Sequence, residues 1–246
     1  MKTWAIMKEI INKTKKHRIQ ESFKLGYHGI TADKQKISDG FNEFFVTIGP
    51  KLARKIKASS RNPSFYLKEQ NKESIFLYPT DTTEIEKIIN SLNSSSPGWD
   101  EIMPDMVKKS YKHFIIPLTH VINLSIQQGI FPDELKWAKV IPLYKADDPK
   151  QFNNYRPVSV LPCFSKIFEK VLYVRLMSFL NKFKILYKNQ FGFREKHSTG
   201  MPLILLVDKI VNALDNGESV IGLFLDFSKA FDTVNHKILL NKLSHY

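Results

Sequence analysis

The stretch Val220-Ile-Gly-Leu-Phe-Leu-Asp226-Phe-Ser-Lys-Ala-Phe231-Asp232 decides the fold. Its first six residues form an apolar run, which predicts a buried β-strand. Asp226 follows at the end of that run, where a sheet would hold its carboxylate rigidly at the surface. Such a ligand suits Mg²⁺, which often binds one or two carboxylates together with substrate phosphates. A strand-end aspartate is also common as a turn or cap residue, so the spacing alone leaves both interpretations open.

Helical patterns surround this stretch. Phe164 to Leu180 predicts the clearest helix, with one apolar face packed on a core. The residues predicted to lie off that face are Lys166, Lys170 and Arg175. A further helix is predicted from a cap at Ser198 or Thr199 to about Asn216, where Asn216-Gly217 makes a turn. A last helix should start near Asn235.

Two extended segments precede the long helix. Residues 138–144 are rich in Val and Ile, and residues 157–161 form a second extended piece after the polar turn 146–154. Because short polar turns join neighbouring antiparallel strands, these segments are expected to pair as a hairpin.

The N-terminal half is expected to be mainly helical. Thr83 and Glu86 form a capping-box pattern, so a helix should start near residue 83. The sequence also predicts a linker over residues 59–72. Other helices are predicted over residues 4–24, 37–56, 105–111 and 114–128.

Charge is concentrated near the N-terminus. The 246 residues carry a formal net charge of +13, and residues 1–61 hold fourteen Lys and Arg against five Asp and Glu, a net of +9. The densest basic cluster consists of Lys13, Lys15, Lys16 and Arg18. Such a cluster attracts phosphate backbones, although a solvated helix face explains it equally well.

Several classes of protein are disfavoured by composition. Cys163 is the single cysteine, which excludes an internal disulfide framework. The apolar runs are too short for a transmembrane helix, and charges interrupt the first sixteen residues, unlike a secretory signal. We therefore expect no membrane partner and an intracellular protein, in the nucleus or the cytoplasm.

Four ordered motifs resemble reverse transcriptases of jockey-like non-LTR (LINE) retrotransposons. The stretch around Asp226 resembles the first catalytic motif of that family. The others are Trp137 to Lys145 with Asn154 to Ser159, Gln190 to Arg194 followed by His197-Ser-Thr199, and Gly98 to Pro104. Glu101 stands where the family usually has Gly. The segment Ile37 to Ile56 also looks like the region between the endonuclease and polymerase of such proteins.

The resemblance implies an RNA-directed DNA polymerase that uses two Mg²⁺ ions. Asp226 would bind both ions, and the backbone carbonyl of Phe227 would be a further ligand. Phe231 matches the steric gate against a ribose 2′-hydroxyl, with core packing as the alternative role. Lys145 and Arg156 match the two fingers cations that bind the incoming triphosphate; exposed hairpin cations are the alternative.

The motif Gln190 to Arg194 leaves more than one role open. Arg194 matches a position that contacts template or nucleotide, and it could equally pair with a local acid. Gly192 is expected to allow close backbone approach. Three aromatic residues could stack on bases, although aromatics near strands usually belong to the core. They are Tyr155, Phe191 and Phe193.

The fold class implied is α+β: right-hand polymerase fingers and an incomplete antiparallel palm, after a basic helical N-terminal region. Residues 1–75 are expected to be that region, and residues 76–246 the fingers and the start of the palm. The partners would be an RNA template, a DNA primer or target and deoxynucleoside triphosphates. No Asp-Asp pair follows Asp226, and the rest of the palm and the thumb are missing, so we expect an inactive fragment. The alternative is an element-derived nucleic-acid-binding protein without catalysis.

Overall fold

The computed structural model describes residues 20–25, 29–56, 61–67, 73–227 and 229–245. They form helices with small two-stranded sheets, as an α+β class requires. Packing divides the chain into two compact units. The first contains residues 20–53 and 140–158, and the second contains the rest. The predicted domain boundary at residue 75 stays a prediction.

The first unit begins with a small hairpin. Strand β1 (Phe23–Lys24) pairs antiparallel with β2 (Ile30–Thr31), placing Phe23 opposite Thr31. The helix predicted over residues 4–24 therefore does not extend to its predicted end; its first sixteen residues lie outside the described part of the chain. Helix α1 (Lys34–Ala53) follows. Asp33 caps it by accepting hydrogen bonds from the backbone N–H groups of Gln35 (2.9 Å) and Lys36 (3.3 Å).

The predicted second hairpin is confirmed. Strands β3 (Lys139–Tyr144) and β4 (Tyr155–Val160) are hydrogen-bonded neighbours in a two-stranded sheet. Each contains a proline, Pro142 or Pro157. A two-stranded sheet tolerates both residues because each strand has a free edge, where a missing N–H donor interrupts no ladder.

An aromatic cluster fills the core of the first unit. Phe23, Phe41 and Tyr155 are buried, and Ile37, Phe45, Tyr144 and Phe152 pack partly buried around them. Ile37, Phe41 and Phe45 come from α1, within the helix predicted over residues 37–56. The fold thus uses the segment before residue 53 to cover one side of the second hairpin.

The core of the second unit is aliphatic and lies between helices. Helix α2 (Thr82–Ser91) packs against α3 (Pro104–Ser110), α4 (Ile115–Gln128) and α5 (Cys163–Lys182). Its isoleucines are buried, and burying one such side chain contributes about 1.5–3 kcal/mol. The buried residues of this core are Ile85, Ile88, Ile89, Val107, Ile122, Cys163, Ile167, Phe168 and Val171.

The ends of these helices follow local chemistry, with one correction. Asp81, not Thr83, caps α2: its Oδ1 accepts a hydrogen bond of 2.7 Å from the backbone N–H of Glu84. The predicted helix start near residue 83 is confirmed, but Thr83 and Glu86 do not form the capping box, because the helix begins one residue earlier and Glu86 accepts a hydrogen bond from the Tyr111 hydroxyl. Gly129 ends α4 in the left-handed conformation at φ 66°, directly after the helix predicted over residues 114–128.

The C-terminal part is helical but exposed. Helix α6 (Gly200–Asp215) and helix α7 (His236–His245) confirm the last two helical predictions, and neither buries a residue. Thr199 makes no side-chain capping bond to α6, whereas Asn235 accepts one of 3.2 Å from Ile238 N–H. None of the helices in the described ranges combines the length and the apolar composition that a bilayer crossing requires.

The predicted buried strand over residues 220–226 is wrong. Residues 218–227 run without regular structure, and no strand of the described chain pairs with them. Ile221 is 95% exposed, and Leu223 and Phe224 are each 83% exposed. The apolar pattern indicates a strand, but a strand forms only where a neighbour completes its hydrogen bonds.

Candidate functional site

The second hairpin carries the two cations that sequence reasoning assigns to a triphosphate. Lys145 directly follows β3, and its backbone N–H donates a 2.8 Å hydrogen bond to the carbonyl of Asn154. Arg156 lies two residues beyond Asn154, in β4. Both side chains are exposed. The hairpin therefore places Lys145 just beyond the end of β3 and Arg156 in the neighbouring strand β4, with both side chains open to a ligand.

The loop between these strands is held by internal hydrogen bonds. The Tyr144 hydroxyl donates to the Asp147 carbonyl at 2.6 Å, and the Tyr155 hydroxyl donates to the Pro149 carbonyl at 2.7 Å. Asn154 Nδ2 donates to the Asp148 carbonyl at 2.9 Å. Burial raises the pKa of the Tyr155 phenol, so this donor keeps its proton at neutral pH. Tyr155 is buried, which places it in the core and not on a surface for stacking on bases.

Asp226 and Phe227 lie in the exposed segment 218–227. The Asp226 side chain is exposed, and Phe227 is 79% exposed. The Asp226 carboxylate and the nearby backbone carbonyls are hard oxygen donors of the kind Mg²⁺ prefers. The described residues contain no group of three His, Cys, Asp or Glu side chains that could hold a metal ion. The donor chemistry at Asp226 thus suits Mg²⁺, but the donors present do not complete a site.

Phe231 meets an aromatic residue of another motif. Its ring lies 6.0 Å from that of Phe193, nearly perpendicular at 87°. Both rings are largely exposed, at 79% for Phe231 and 87% for Phe193. This exposure argues against core packing for Phe231. The structure thereby brings the motif around Gly192 next to the motif around Asp226, two segments that the sequence separates.

Arg194 lines three cavities. One of about 590 Å³ is bordered by Tyr173, Phe191, Phe193 and His197, one of about 380 Å³ by Leu180, Lys184 and Tyr187, and one of about 290 Å³ by Val174 and Asn181. Its Nη1 donates a 3.4 Å hydrogen bond to the Tyr187 carbonyl. That bond orients the guanidinium through a backbone carbonyl, in place of the local acid considered from the sequence. A planar cation beside aromatic walls can contact a base or a phosphate.

Close backbone approach occurs at Gly98 and not at Gly192. A Cβ added to Gly192 would meet nothing within 4 Å, so no described part of the chain approaches it closely, and close approach to a ligand stays a prediction. A Cβ added to Gly98 would lie 2.6 Å from the backbone nitrogen of Pro162. Three residues later, Glu101 adopts φ 58°, a conformation that favours Gly. The glycine usual at this position in the resembled family therefore matches the backbone seen here.

Arg175 is the residue whose burial differs most from the sequence-based prediction. It is 1% exposed, although its position on α5 predicts a solvated side chain. Its Nη1 donates to Glu84 Oε1, and its Nη2 donates to Glu84 Oε2 at 2.7 Å. Further bonds of 3.2 Å reach the carbonyls of Tyr78, Pro79 and Val171. The Arg175 guanidinium holds the pKa of Glu84 below its usual range.

The basic cluster Lys13, Lys15, Lys16 and Arg18 lies outside the described residues. The same holds for the first part of the predicted N-terminal helix. Its proposed role in binding nucleic acid therefore depends on sequence alone.

Comparison with known proteins supports the resemblance. Residues 145–246 match the family of reverse transcriptases, or RNA-dependent DNA polymerases. This range contains every candidate polymerase residue named above, from Lys145 to Phe231. By its sequence, this part of the chain is similar to reverse transcriptases.

Three individual relatives are polymerases of transposons and other mobile elements. A probable RNA-directed DNA polymerase from transposon X-element of Drosophila melanogaster is 34% identical over 160 residues, 64% of this chain and 18% of the relative. The corresponding enzyme from transposon BS of that species is 31% identical over 170 residues (67% and 19%). The RNA-directed DNA polymerase from its mobile element jockey is 32% identical over 179 residues (72% and 20%).

These relatives confirm that the chain is similar to the RNA-directed DNA polymerases of jockey-like transposons. The chain spans about a fifth of the length of the curated relatives it matches.

Proposed function

We propose that this chain forms the fingers and the start of the palm of an RNA-directed DNA polymerase. The reverse transcriptase match over residues 145–246, with Lys145, Arg156 and Asp226 all present and exposed, carries the proposal. Residues 1–75 are then the basic region that precedes the polymerase, and residues 76–246 the polymerase part. The substrates would be an RNA template, a DNA primer and deoxynucleoside triphosphates.

Each candidate residue has a distinct role in this proposal. Lys145 and Arg156 bind the triphosphate, Lys as a point charge and Arg as a planar fork. Asp226 and the Phe227 carbonyl contribute oxygen ligands toward Mg²⁺, which would stabilise charge on the reacting phosphate. Phe231 lies against the sugar of the nucleotide, and Arg194 contacts template or nucleotide.

The decisive experiment is primer extension by a polymerase that contains this chain in full. Asp226→Asn keeps the size of the side chain but removes its charge, and we expect Mg²⁺-dependent DNA synthesis on an RNA template to fall to background. Asp232→Asn is the matched control, because Asp232 is an exposed acid six residues later along the chain. Full synthesis by Asp226→Asn would refute the catalytic assignment.

The 246 residues alone are expected to synthesise no DNA. No second acidic motif follows Asp226 in this sequence, and the described residues hold no complete metal site. Magnesium-dependent extension of a primer by the isolated chain would contradict this expectation.

Binding without catalysis is the second candidate function, favoured by the net charge of +13. Replacing Lys13, Lys15, Lys16 and Arg18 with Ala should then weaken binding to single-stranded RNA. The slope of log affinity against log salt concentration should also become shallower, by up to about 0.7 for each phosphate that the protein no longer neutralises. An unchanged affinity and salt slope would exclude this cluster from the RNA site.

A further inference from the structure

The loop between β3 and β4 is attached to the segment that precedes α1. Lys24 Nζ forms an ion pair of 2.8 Å with Asp148 Oδ2, and the Lys24 backbone N–H donates a 2.9 Å hydrogen bond to the Lys150 carbonyl. One residue therefore contacts the loop through both its side chain and its backbone. The loop residues lie more than 120 positions later in the chain, so this is a tertiary contact and not a local turn.

Asp148 is positioned to receive this contact. Its Oδ1 accepts a 3.0 Å hydrogen bond from the Lys150 backbone N–H, and its Oδ2 faces Lys24. The hydrogen bond from Lys24, followed by that from Lys150, lowers the pKa of Asp148 to about 2. The carboxylate is therefore charged at neutral pH, where it can pair with Lys24.

Aromatic packing fixes the same loop from its other side. Phe152 stacks on Phe23 with ring centroids 5.4 Å apart and meets Phe41 edge-on at 4.7 Å. Gly40 of α1 leaves room for the Phe152 ring, because a Cβ there would lie 2.6 Å from Phe152 Cζ. The Phe41 ring also lies 5.0 Å from that of Tyr155, the residue before Arg156.

We infer that residues 23–25 and 29–41 are a brace that positions Lys145 and Arg156, and are not a passive linker. The brace holds both ends of the loop: the Lys24 ion pair fixes Asp148, and the aromatic contacts fix Phe152 and Tyr155. Because loops ordered by few contacts open readily, removing the brace would let the two cations separate. The inference rests on the proposed function only in naming the nucleotide triphosphate as what the hairpin holds.

Hydrogen exchange of the isolated chain tests the brace without any activity. Lys24→Ala and Asp148→Asn should each raise exchange across residues 145–154 by about two- to fivefold, because the ion pair is partly exposed. The double variant should exchange no faster than either single one, since both remove the same contact. Lys24→Arg should restore protection, and Lys36→Ala, an exposed lysine of α1, should leave it unchanged. Unchanged exchange in Lys24→Ala, or a fully additive double variant, would overturn the ion-pair part of the brace.

Gly40→Ala tests the aromatic side. Its methyl group displaces the Phe152 ring, so exchange in the loop should rise about tenfold or more. Gly200→Ala is the control, because its Cβ would meet only Ser198 Oγ, at 3.7 Å. Normal protection of the loop in Gly40→Ala would overturn this part.

Nucleotide kinetics separate the two proposals. In a polymerase that contains this chain, Lys24→Ala should raise KM for deoxynucleotides and leave kcat nearly unchanged, in the same direction as Lys145→Ala. A raised KM in Lys145→Ala with a normal KM in Lys24→Ala would overturn the brace and leave the proposed function intact. A normal KM in Lys145→Ala would instead overturn the nucleotide role of the hairpin, while hydrogen exchange still decides the brace.

Discussion

The buried guanidinium of Arg175 joins three parts of the second unit. It bonds to the Glu84 carboxylate on α2, to the carbonyls of Tyr78 and Pro79, and to Val171 in the preceding turn of its own helix. It also lies over the Tyr78 ring, 4.2 Å from the ring centroid. A buried cation costs desolvation, which these hydrogen bonds offset as long as every partner stays in place.

Arg175→Ala should therefore destabilise the chain strongly. We expect the free energy of unfolding in urea to fall by about 3 kcal/mol, because Glu84 would lose its cationic partner and the carbonyls of Tyr78 and Pro79 would lose the donor that Arg175 supplies. Lys170→Ala on the same helix is the control; the Lys170 ammonium lies over the Tyr173 ring, and its removal should cost about 0.5–1 kcal/mol. Equal losses for the two variants would contradict the buried role of Arg175.

Glu101 offers the opposite test, a stabilising substitution. Its φ of 58° costs a residue with a Cβ roughly 1–2 kcal/mol, and Gly avoids that cost while adding some entropy to the unfolded chain. Glu101→Gly should thus raise the free energy of unfolding by about 0.5–1 kcal/mol. Glu134→Gly is the control, because Glu134 does not have a positive φ and should lose stability. A destabilised Glu101→Gly would contradict this interpretation of the backbone.

The contact between α2 and α5 should depend on pH. Arg175 lowers the pKa of Glu84 from its ordinary 4.5, so the folded chain binds the Glu84 proton less readily than the unfolded chain does. The stabilisation is fully present above pH 4.5 and is lost as the pH falls through the lower, folded pKa.

Thermal unfolding between pH 6 and pH 3 measures this effect. The wild-type chain should lose more stability over that range than Glu84→Gln, which carries no titrating group at that position. Asp81→Asn serves as a comparison: it also removes a carboxylate near the start of α2, but the Asn side chain keeps an oxygen that can cap the helix. Parallel pH profiles for wild type and Glu84→Gln would refute the coupling.

At the scale of elements, local sequence predicts much of this structure. The hairpin of β3 and β4, the long helix α5 and the glycine stop at Gly129 all follow from periodicity and turn chemistry. The burial of Arg175 could not be predicted, because its partner Glu84 lies 91 residues earlier and helical periodicity does not report such pairs. The strand over residues 220–226 failed for a related reason: its apolar pattern is local, but its hydrogen-bond partners are not.

The residues of the candidate site also divide into those that the sequence indicated and those that only the structure shows. Motif resemblance named Lys145, Arg156, Asp226 and Phe231, and their roles remain predictions. Motif resemblance did not indicate Lys24 or Gly40, since only tertiary contacts with the loop reveal them. Phe152 could have been found from the sequence as an aromatic residue at the end of a polar turn.

At the scale of the molecule, exposed apolar side chains are concentrated in the C-terminal part of the described residues. Residues 200–227 expose large side chains on both α6 and the segment that follows it. Those above 55% exposure are Leu203, Ile204, Val207, Leu214, Ile221, Leu223, Phe224, Leu225 and Phe227. An apolar surface of this kind favours association.

The isolated chain should accordingly self-associate as its concentration rises. Ile221→Asp combined with Leu223→Asp should lower both the sedimentation-average mass and the binding of a hydrophobic dye, without loss of helix content. Val174→Asp, on the partly exposed face of α5, is a control for added charge elsewhere. A monomer at all concentrations for the unsubstituted chain would contradict the prediction.

The prolines of the second hairpin, in contrast, oppose association between molecules. Pro142 and Pro157 have no backbone N–H. The edges of this two-stranded sheet therefore offer fewer hydrogen-bond donors to a strand of a neighbouring molecule. The second hairpin, which bears Lys145 and Arg156, is thereby protected against strand-by-strand association with other molecules. Residues 200–227 of the same chain have no such protection for their exposed apolar side chains.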